Sequence, residues 1–311
     1  MNQNRDRQYE VVIIGGGPAG LSAGLYTARA RLRSIVVEKG IVGGQIINAR
    51  LIENYPGFPE GIGGLELADL ISQQAEKHGL ETLIAEVTGI ELKGEPKIVK
   101  TSEGNLVAKA VIIAVGLERS KLGVPGEAEF TGKGVSYCAT CDGAFFRDQT
   151  VAVVGGGNAA INEALDLTDF AAKVIVLHRG RELRATRVLQ EKALANPKIE
   201  FQWNTIVEAI EGEAFVKRLK LRDVISNEAS TLDVAGIFVA IGSEPGTAYL
   251  KGLLRMDAAG YIITNEKMET NIPGVFAAGD VRSTSIRQTI AAAGDGAIAA
   301  IYAERFVRQK G

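Results

Sequence analysis

Cysteine and histidine are scarce in this chain of 311 residues, which holds two of each alongside one tryptophan and three methionines. Two cysteines cannot frame a secreted scaffold stapled by disulfides. His78 and His178 are far apart in sequence and do not complete the four-ligand set that a structural zinc asks for, so no metal is expected. No run approaches the roughly eighteen unbroken apolar residues of a membrane-spanning helix. Met1 to Glu10 is polar and charged where a signal peptide carries an apolar core. The net charge is only −2, which gives no broad attraction for nucleic acid or an anionic membrane. These absences point to a cytoplasmic protein. The length suits two ordinary domains, and 46% hydrophobic residues suit a globular one.

The two cysteines stand together in Cys138-Ala139-Thr140-Cys141-Asp142. Their spacing lets them close a small ring or open as a dithiol, and in a reducing compartment such a pair is catalytic more often than structural. Asp142 follows directly, and an acid beside a thiol pair can move protons during thiol–disulfide exchange. Two buried, inert thiols are the competing reading, since free cysteine packs well in cores.

Glycine is abundant, 37 residues, and clustered. Val11-Val12-Ile13-Ile14 has the β-branched, apolar character of a buried parallel strand and runs into Gly15-Gly16-Gly17-Pro18-Ala19-Gly20, a GxGxxG turn. A small-residue helix and a second strand, Ser34 to Val37, follow, and Glu38 closes the unit eighteen residues after Gly20. Glycines let a pyrophosphate approach the backbone, the helix start supplies amides, and the acid takes ribose hydroxyls. Set between two strands, the turn is strong evidence for a dinucleotide fold. Gly43-Gly44-Gln45 and Glu53-Asn54-Tyr55-Pro56-Gly57 then form a long shaped loop, a binding surface or a plain connection. An apolar stripe predicts a helix over Gly64 to Gly79, and short strands lead to the buried run Ala110 to Gly116.

The pattern then repeats. Val151 to Gly180 aligns without gaps on Val11 to Gly40, each thirty residues long, with Gly155-Gly156-Gly157-Asn158-Ala159-Ala160 in the place of the first glycine turn. Two dinucleotide folds are therefore expected, the fold class being α/β with two Rossmann-like three-layer domains, the second inserted into the first. The repeats differ where a ligand is chosen. Glu38 is matched by His178, and Arg179, Arg181 and Arg184 follow. Removing the carboxylate and adding guanidiniums suits a 2′-phosphate, although a run of charges can simply solubilise a loop. Near the end, Gly274 to Asp280 is a strand running into an acidic turn that includes Gly279, and Arg287-Gln288-Thr289 opens a small-residue helix reaching Phe306.

The glycine turn with Glu38, the Gly43-Gly44-Gln45 and Glu53 to Gly57 segments, the Cys138 to Asp142 run, Gly155 to Ala160, and Val275 to Asp280 with Arg287-Gln288 together resemble bacterial-type, low-molecular-weight thioredoxin reductase over nearly the whole chain. The resemblance implies a discontinuous FAD domain, residues 1–118 and 247–311, and an inserted NADPH domain, residues 119–246, carrying the redox pair. It implies that FAD meets Gly15, Gly17, Pro18, Ala19 and Glu38 through its pyrophosphate and ribose. Gly44, Gln45, Asn54, Gly279, Asp280, Arg287 and Gln288 fall nearer the ribityl chain and flavin. NADPH falls to Gly157, Asn158, Ala159, His178, Arg179 and Arg184. Cys141 is implied to face the flavin, Cys138 to attack thioredoxin, and Asp142 to act as acid and base. The resemblance also implies a homodimer whose NADPH domain turns about the crossings near Glu118 and Gly246.

One departure stands out. The family's second arginine after the histidine is Gly180 here, with Arg181 one residue on. A same-fold flavoprotein taking electrons from ferredoxin or NADH, an NAD(P)H oxidase, and a non-catalytic nucleotide-binding protein are the competing functions.

Overall fold

The computed structural model describes residues 7–309. The first six residues of the polar N-terminal stretch and the last two of the chain lie outside the described residues. Among the described residues no helix is long and apolar enough to cross a membrane.

The chain divides into two compact units, Met1–Glu118 with Glu244–Gly311, and Arg119–Ser243. The second crossing falls at Ser243/Glu244, a few residues before the Gly246 boundary read from the sequence. Both crossings lie in short strands, Leu117–Arg119 and Ser243–Pro245.

The first unit opens with β1 (Arg7–Ile14), α1 (Pro18–Arg29) and β2 (Ser34–Glu38). The first strand begins earlier than the apolar run because Tyr9 is also buried. α2 (Gly64–Glu76) is shorter than the expected helix, since Gly79 takes a left-handed backbone and the chain turns before it. β3 (Glu81–Ile84), β4 (Val87–Glu91), β5 (Lys97–Thr101), β6 (Gly104–Ile113) and β7 (Leu117–Arg119) complete this part. Strand order is β3-β2-β1-β6, with β1 to β3 and β6 running parallel. Strand β6 serves two layers: residues 104–108 pair antiparallel with β5, which pairs with β4, and residues 111–113 pair with a strand from the chain's end. Helices therefore cover one face and an antiparallel meander covers the other.

The second unit begins with α3 (Glu127–Phe130), β8 (Val135–Ser136) and the four-residue helix α4 (Ala139–Asp142). β9 (Thr150–Val154), α5 (Asn158–Leu167), β10 (Lys173–His178), α6 (Arg187–Leu194) and β11 (Ile199–Trp203) form the repeated fold. β12 (Thr205–Gly212), β13 (Val216–Asp223) and β14 (Ala229–Asp233) make a separate antiparallel sheet, and β15 (Gly236–Val239) returns to the parallel one. The parallel order is β11-β10-β9-β15-β8. One face of the parallel sheet packs Val151 and Val153 against Ile161 and Leu167 of α5, and the other packs Val154, Leu177 and Ile237 against Leu219 of the antiparallel sheet. The two units thus repeat one three-layer plan, as the ungapped alignment of the two glycine turns requires.

β16 (Ser243–Pro245) pairs with β7 in a two-stranded ribbon. The chain ends with β17 (Val275–Ala277), beside β6, and α7 (Thr289–Gln309). Small residues let α7 lie on α1: a Cβ on Gly296 would overlap the carbonyl oxygen of Ala19. Both helices pack on a common core with Ile13, Ile112 and Phe276.

Candidate functional site

Both glycine turns end a buried parallel strand and start a helix, α1 or α5. The N-cap residues are Gly17 and Gly157, and neither offers a side-chain cap, so the first-turn amides are left for a ligand. Open space lies over both. A Cβ on Gly157 would meet nothing within 4 Å, and one on Gly17 would meet only the Gly43-Gly44 backbone, at 3.8 Å or more. Such cradles fit the pyrophosphate of a dinucleotide.

In the first unit the Gly16 N–H donates to Glu38 Oε2 at 2.7 Å and the Gly40 N–H to Oε1 at 3.0 Å, which fixes the carboxylate at the edge of the cradle. The Gly43 N–H donates to the Gly16 carbonyl at 2.8 Å, bringing Gly44 against Gly17. Gln45 reaches the Leu117 carbonyl at 3.4 Å. Asn54 donates to Gln288 Oε1 at 2.9 Å, joining two segments that the sequence places far apart. The turn at Gly279 closes against Ala19, so the end of the chain returns to the first glycine turn.

Asp280 accepts a hydrogen bond from Ser285 at 2.8 Å, and burial raises its carboxyl above the ordinary value. Arg287 has a left-handed backbone (φ 55°) and stacks on Tyr261, donating to its hydroxyl at 2.7 Å. Beneath lies a buried fork that the sequence did not announce. The Arg282 guanidinium donates to Asp295, Thr264 and Thr284, and Asp295 also accepts the Gly279 N–H at 3.1 Å. The fork holds the turn that carries Asp280.

In the second unit His178 is buried, and its ring lies where a Cβ on Gly156 would be. Its Nε2 is 2.9 Å from the Glu182 carbonyl oxygen, which makes that nitrogen the donor, and Trp203 closes its far side edge to face. Burial, then the charges of Arg184 and Arg179, hold the imidazole below its ordinary proton affinity. The loop after it is stitched to the glycine turn: the Arg184 N–H donates to the Gly156 carbonyl at 2.7 Å and the Thr186 N–H to Asn158 Oδ1 at 2.8 Å. Arg179, Arg181 and Arg184 are exposed, and none forms an ion pair with a carboxylate among the described residues. Three such guanidiniums beside an open cradle suit a phosphate. Gly180 lies against the His178 ring, and its carbonyl accepts the Asn204 N–H at 3.2 Å.

Cys138 and Cys141 are joined in a disulfide, their Cα atoms 5.4 Å apart. The inert-thiol reading therefore falls. Cys138 is the N-cap of α4, its sulfur accepting the Cys141 N–H at 3.2 Å and lying 3.3 Å from Thr140 Oγ1. Cys138 is half-buried and Cys141 exposed. On the other side, Tyr137 donates to Glu127, which also takes the N–H groups of Leu122 and Gly123. Burial and that carboxylate push the Tyr137 hydroxyl up to about 12, so it stays a donor. Ser136 bonds to Asp142 at 2.6 Å. Neither Ser136 nor Glu127 carried a motif that could have singled it out.

Two glycine turns, one in each unit, and a disulfide at the start of the inserted unit define a nucleotide-dependent disulfide oxidoreductase. Comparisons with known proteins narrow the class. The pyridine nucleotide-disulphide oxidoreductase family model matches residues 9–296. A thioredoxin reductase of Streptomyces coelicolor is 47% identical over 300 residues, covering 96% of this chain and 93% of that one. One from Peptoclostridium acidaminophilum is 45% identical over 305 residues, covering 96% and 97%. The crystal structure of Lactococcus lactis thioredoxin reductase superposes with a TM-score of 0.92 at 43% identity, over 97% of this chain and 99% of that one. The chain belongs to the low-molecular-weight thioredoxin reductase family.

Proposed function

We propose that the chain is a thioredoxin-disulfide reductase, passing electrons from NADPH through FAD and the Cys138–Cys141 disulfide to thioredoxin. The observation that carries this function is the disulfide itself, set beside an anchored acid in a chain that has a nucleotide cradle in each unit. FAD, when bound, would supply the two-electron chemistry that links the hydride of NADPH to the disulfide, with Cys141 as the sulfur that would receive the electrons.

The residues of the first unit hold FAD. Gly15, Gly17, Pro18 and Ala19 shape the pyrophosphate turn, and Glu38, already oriented by Gly16 and Gly40, has lone pairs left for ribose hydroxyls. Gly44, Gln45, Asn54, Gly279, Asp280, Arg287 and Gln288 line the remainder, with Arg287 delivered by Tyr261 and Asp280 by the Arg282 fork. Gly157, Asn158 and Ala159 receive the NADPH pyrophosphate. Arg179 and Arg184 grip the 2′-phosphate, and His178 contributes by holding their loop through Glu182.

In the reduced protein Asp142 takes the Cys138 proton, and the Cys138 thiolate attacks one sulfur of the thioredoxin disulfide, forming a mixed disulfide and releasing the other sulfur as a thiolate. That thiolate receives the proton from Asp142. Cys141 then gives its proton to Asp142 and attacks Cys138, re-forming the internal disulfide and releasing thioredoxin's second sulfur, which takes that proton to become a thiol. Two electrons leave the dithiol and two thiols appear on thioredoxin.

The protein acts as a cytoplasmic homodimer with no part for nucleic acid or membrane. Support for the dimer comes from α7, whose Ile290, Ile298 and Ile301 are exposed on the side that also carries Gly294, and from Tyr26 exposed on neighbouring α1. The function is tested with purified, FAD-loaded protein, NADPH and oxidised thioredoxin under argon. One NADPH consumed for each pair of thioredoxin thiols is expected. NADPH consumption only when oxygen is admitted, with no thiols formed, would point instead to an oxidase.

A further inference from the structure

We propose that Ser136 is a positioning residue for proton transfer, its hydroxyl holding Asp142 in one orientation against the backbone of Cys138; this rests on the acid–base reading of Asp142. Ser136 is 4% exposed and sits on β8, where pairing with Phe238 of β15 makes it a rigid anchor. A hydroxyl has one hydrogen to give. Two acceptors lie within reach of Ser136 Oγ, Asp142 Oδ2 at 2.6 Å and the Cys138 carbonyl at 3.3 Å. The shorter contact has the length of a hydroxyl on a carboxylate, so the hydrogen goes to Asp142. The oxygen meanwhile accepts the Cys138 N–H at 3.1 Å. The result is a continuous path, Cys138 N–H to Ser136 Oγ–H to Asp142 Oδ2, between the cysteine and its acid.

The arrangement matters because Asp142 ends the four-residue helix α4 and is only half-buried. An aspartate in that setting turns freely about its side-chain bonds unless something holds it. With Oδ2 fixed by Ser136, the carboxylate keeps a single orientation, and Oδ1 has no hydrogen-bond partner among the described residues. One oxygen is thus committed to position and the other remains for the proton. A buried hydroxyl is costly when unpaired, and here both of its functions are filled.

The experiment uses FAD-loaded Ser136→Ala, Ser136→Thr, Asp142→Asn and the Ser136→Ala/Asp142→Asn double variant. Two steps are followed by rapid mixing: bleaching of the flavin by NADPH, and transfer of thiols from the reduced protein to thioredoxin. Ser136→Ala is expected to slow thiol transfer about tenfold, as a misplaced acid–base group does, with bleaching changed by less than about twofold. In steady state kcat falls and KM for thioredoxin stays the same. Ser136→Thr, which keeps the hydroxyl, restores transfer. In the Asp142→Asn background the alanine change slows transfer no further, because the group it positions is gone.

Wild-type transfer by Ser136→Ala, an equal slowing of both steps, or the same tenfold loss in the Asp142→Asn background would each overturn the positioning role. Undiminished transfer by Asp142→Asn would instead remove the acid–base reading, and the positioning role with it. Should the alanine chain fail to fold, Ser136→Thr and Ser136→Val, alike in shape and different in the hydroxyl, carry the same comparison.

Discussion

At the end of β2, Glu38 turns back and takes the N–H groups of Gly16 and Gly40. At the matching end of β10, His178 lies against Gly156 and spends its donor on the Glu182 carbonyl of the next loop. One strand end therefore presents a carboxylate at the cradle. The other is filled by a neutral ring and sends three exposed arginines past it. On the proposed reading, the same thirty-residue frame would serve ribose hydroxyls or a phosphate according to the residue that closes its second strand.

The third glycine teaches a related lesson. A Cβ on Gly20 would overlap the Gly15 carbonyl oxygen, yet Ala160 occupies the matching place in the second turn and is fully buried. The first glycine of each turn differs in backbone, φ 104° at Gly15 and 147° at Gly155. The two turns are thus similar in plan and differ in how closely strand and helix approach.

The sharpest way to separate the two halves is Cys138→Ser. Thioredoxin reduction should fall roughly a thousandfold or more, while NADPH still bleaches the flavin, because the change removes the attacking sulfur and touches neither cradle. Persistent thioredoxin turnover would contradict the relay. Next in size is the pair Gly20→Ala and Ala160→Gly. The first should cost about 3 kcal/mol or more through overpacking and lose flavin on purification; the second should cost about 1 kcal/mol and keep it. Equal shifts in Tm would mean that the two turns are equivalent after all.

Arg184→Gln tests the choice of nucleotide. KM for NADPH should rise about tenfold with that for NADH nearly unchanged, the loss expected for one guanidinium–phosphate pair. Parallel rises would show that Arg184 does not meet the 2′-phosphate.

The smallest effect concerns His178. Its ordinary value is 6.5, and burial lowers the folded value, so the unfolded chain binds the proton more readily. Stability is therefore full above that ordinary value and declines as pH falls below it toward the folded one. Between about pH 7.5 and about pH 5.5, His178→Phe should lose a few degrees less in Tm than the wild type. An identical slope in both proteins would show that the ring does not stay neutral when folded.

Much of this frame was legible because its signals are local. Val11 to Ile14 and Val151 to Val154 are apolar runs joined directly to glycine turns, and both are buried parallel strands. The exchange of Glu38 for His178 is visible in the aligned repeats, where the loss of the carboxylate suits a 2′-phosphate, but the inward packing of the ring is not. That His178 packs inward and supports a loop depends on Gly156 and Trp203, which sequence spacing does not bring together. α4 went unread because four residues carry no helical period. The Ser136 link to Asp142 spans a strand and a helix turn, and the Arg282 fork joins loop residues to α7. Such polar links have no periodic signature, since only the tertiary fold decides which hydroxyl meets which acid.

The most direct test of the difference between the two cradles is an anaerobic titration of the FAD-loaded protein with NADPH and, separately, NADH, following the oxidised-flavin absorbance. Complete bleaching by stoichiometric NADPH, with NADH needing a large excess, is the predicted result. Bleaching by both at equal concentrations, or by neither, would contradict the assignment of the arginine-bearing cradle to NADPH.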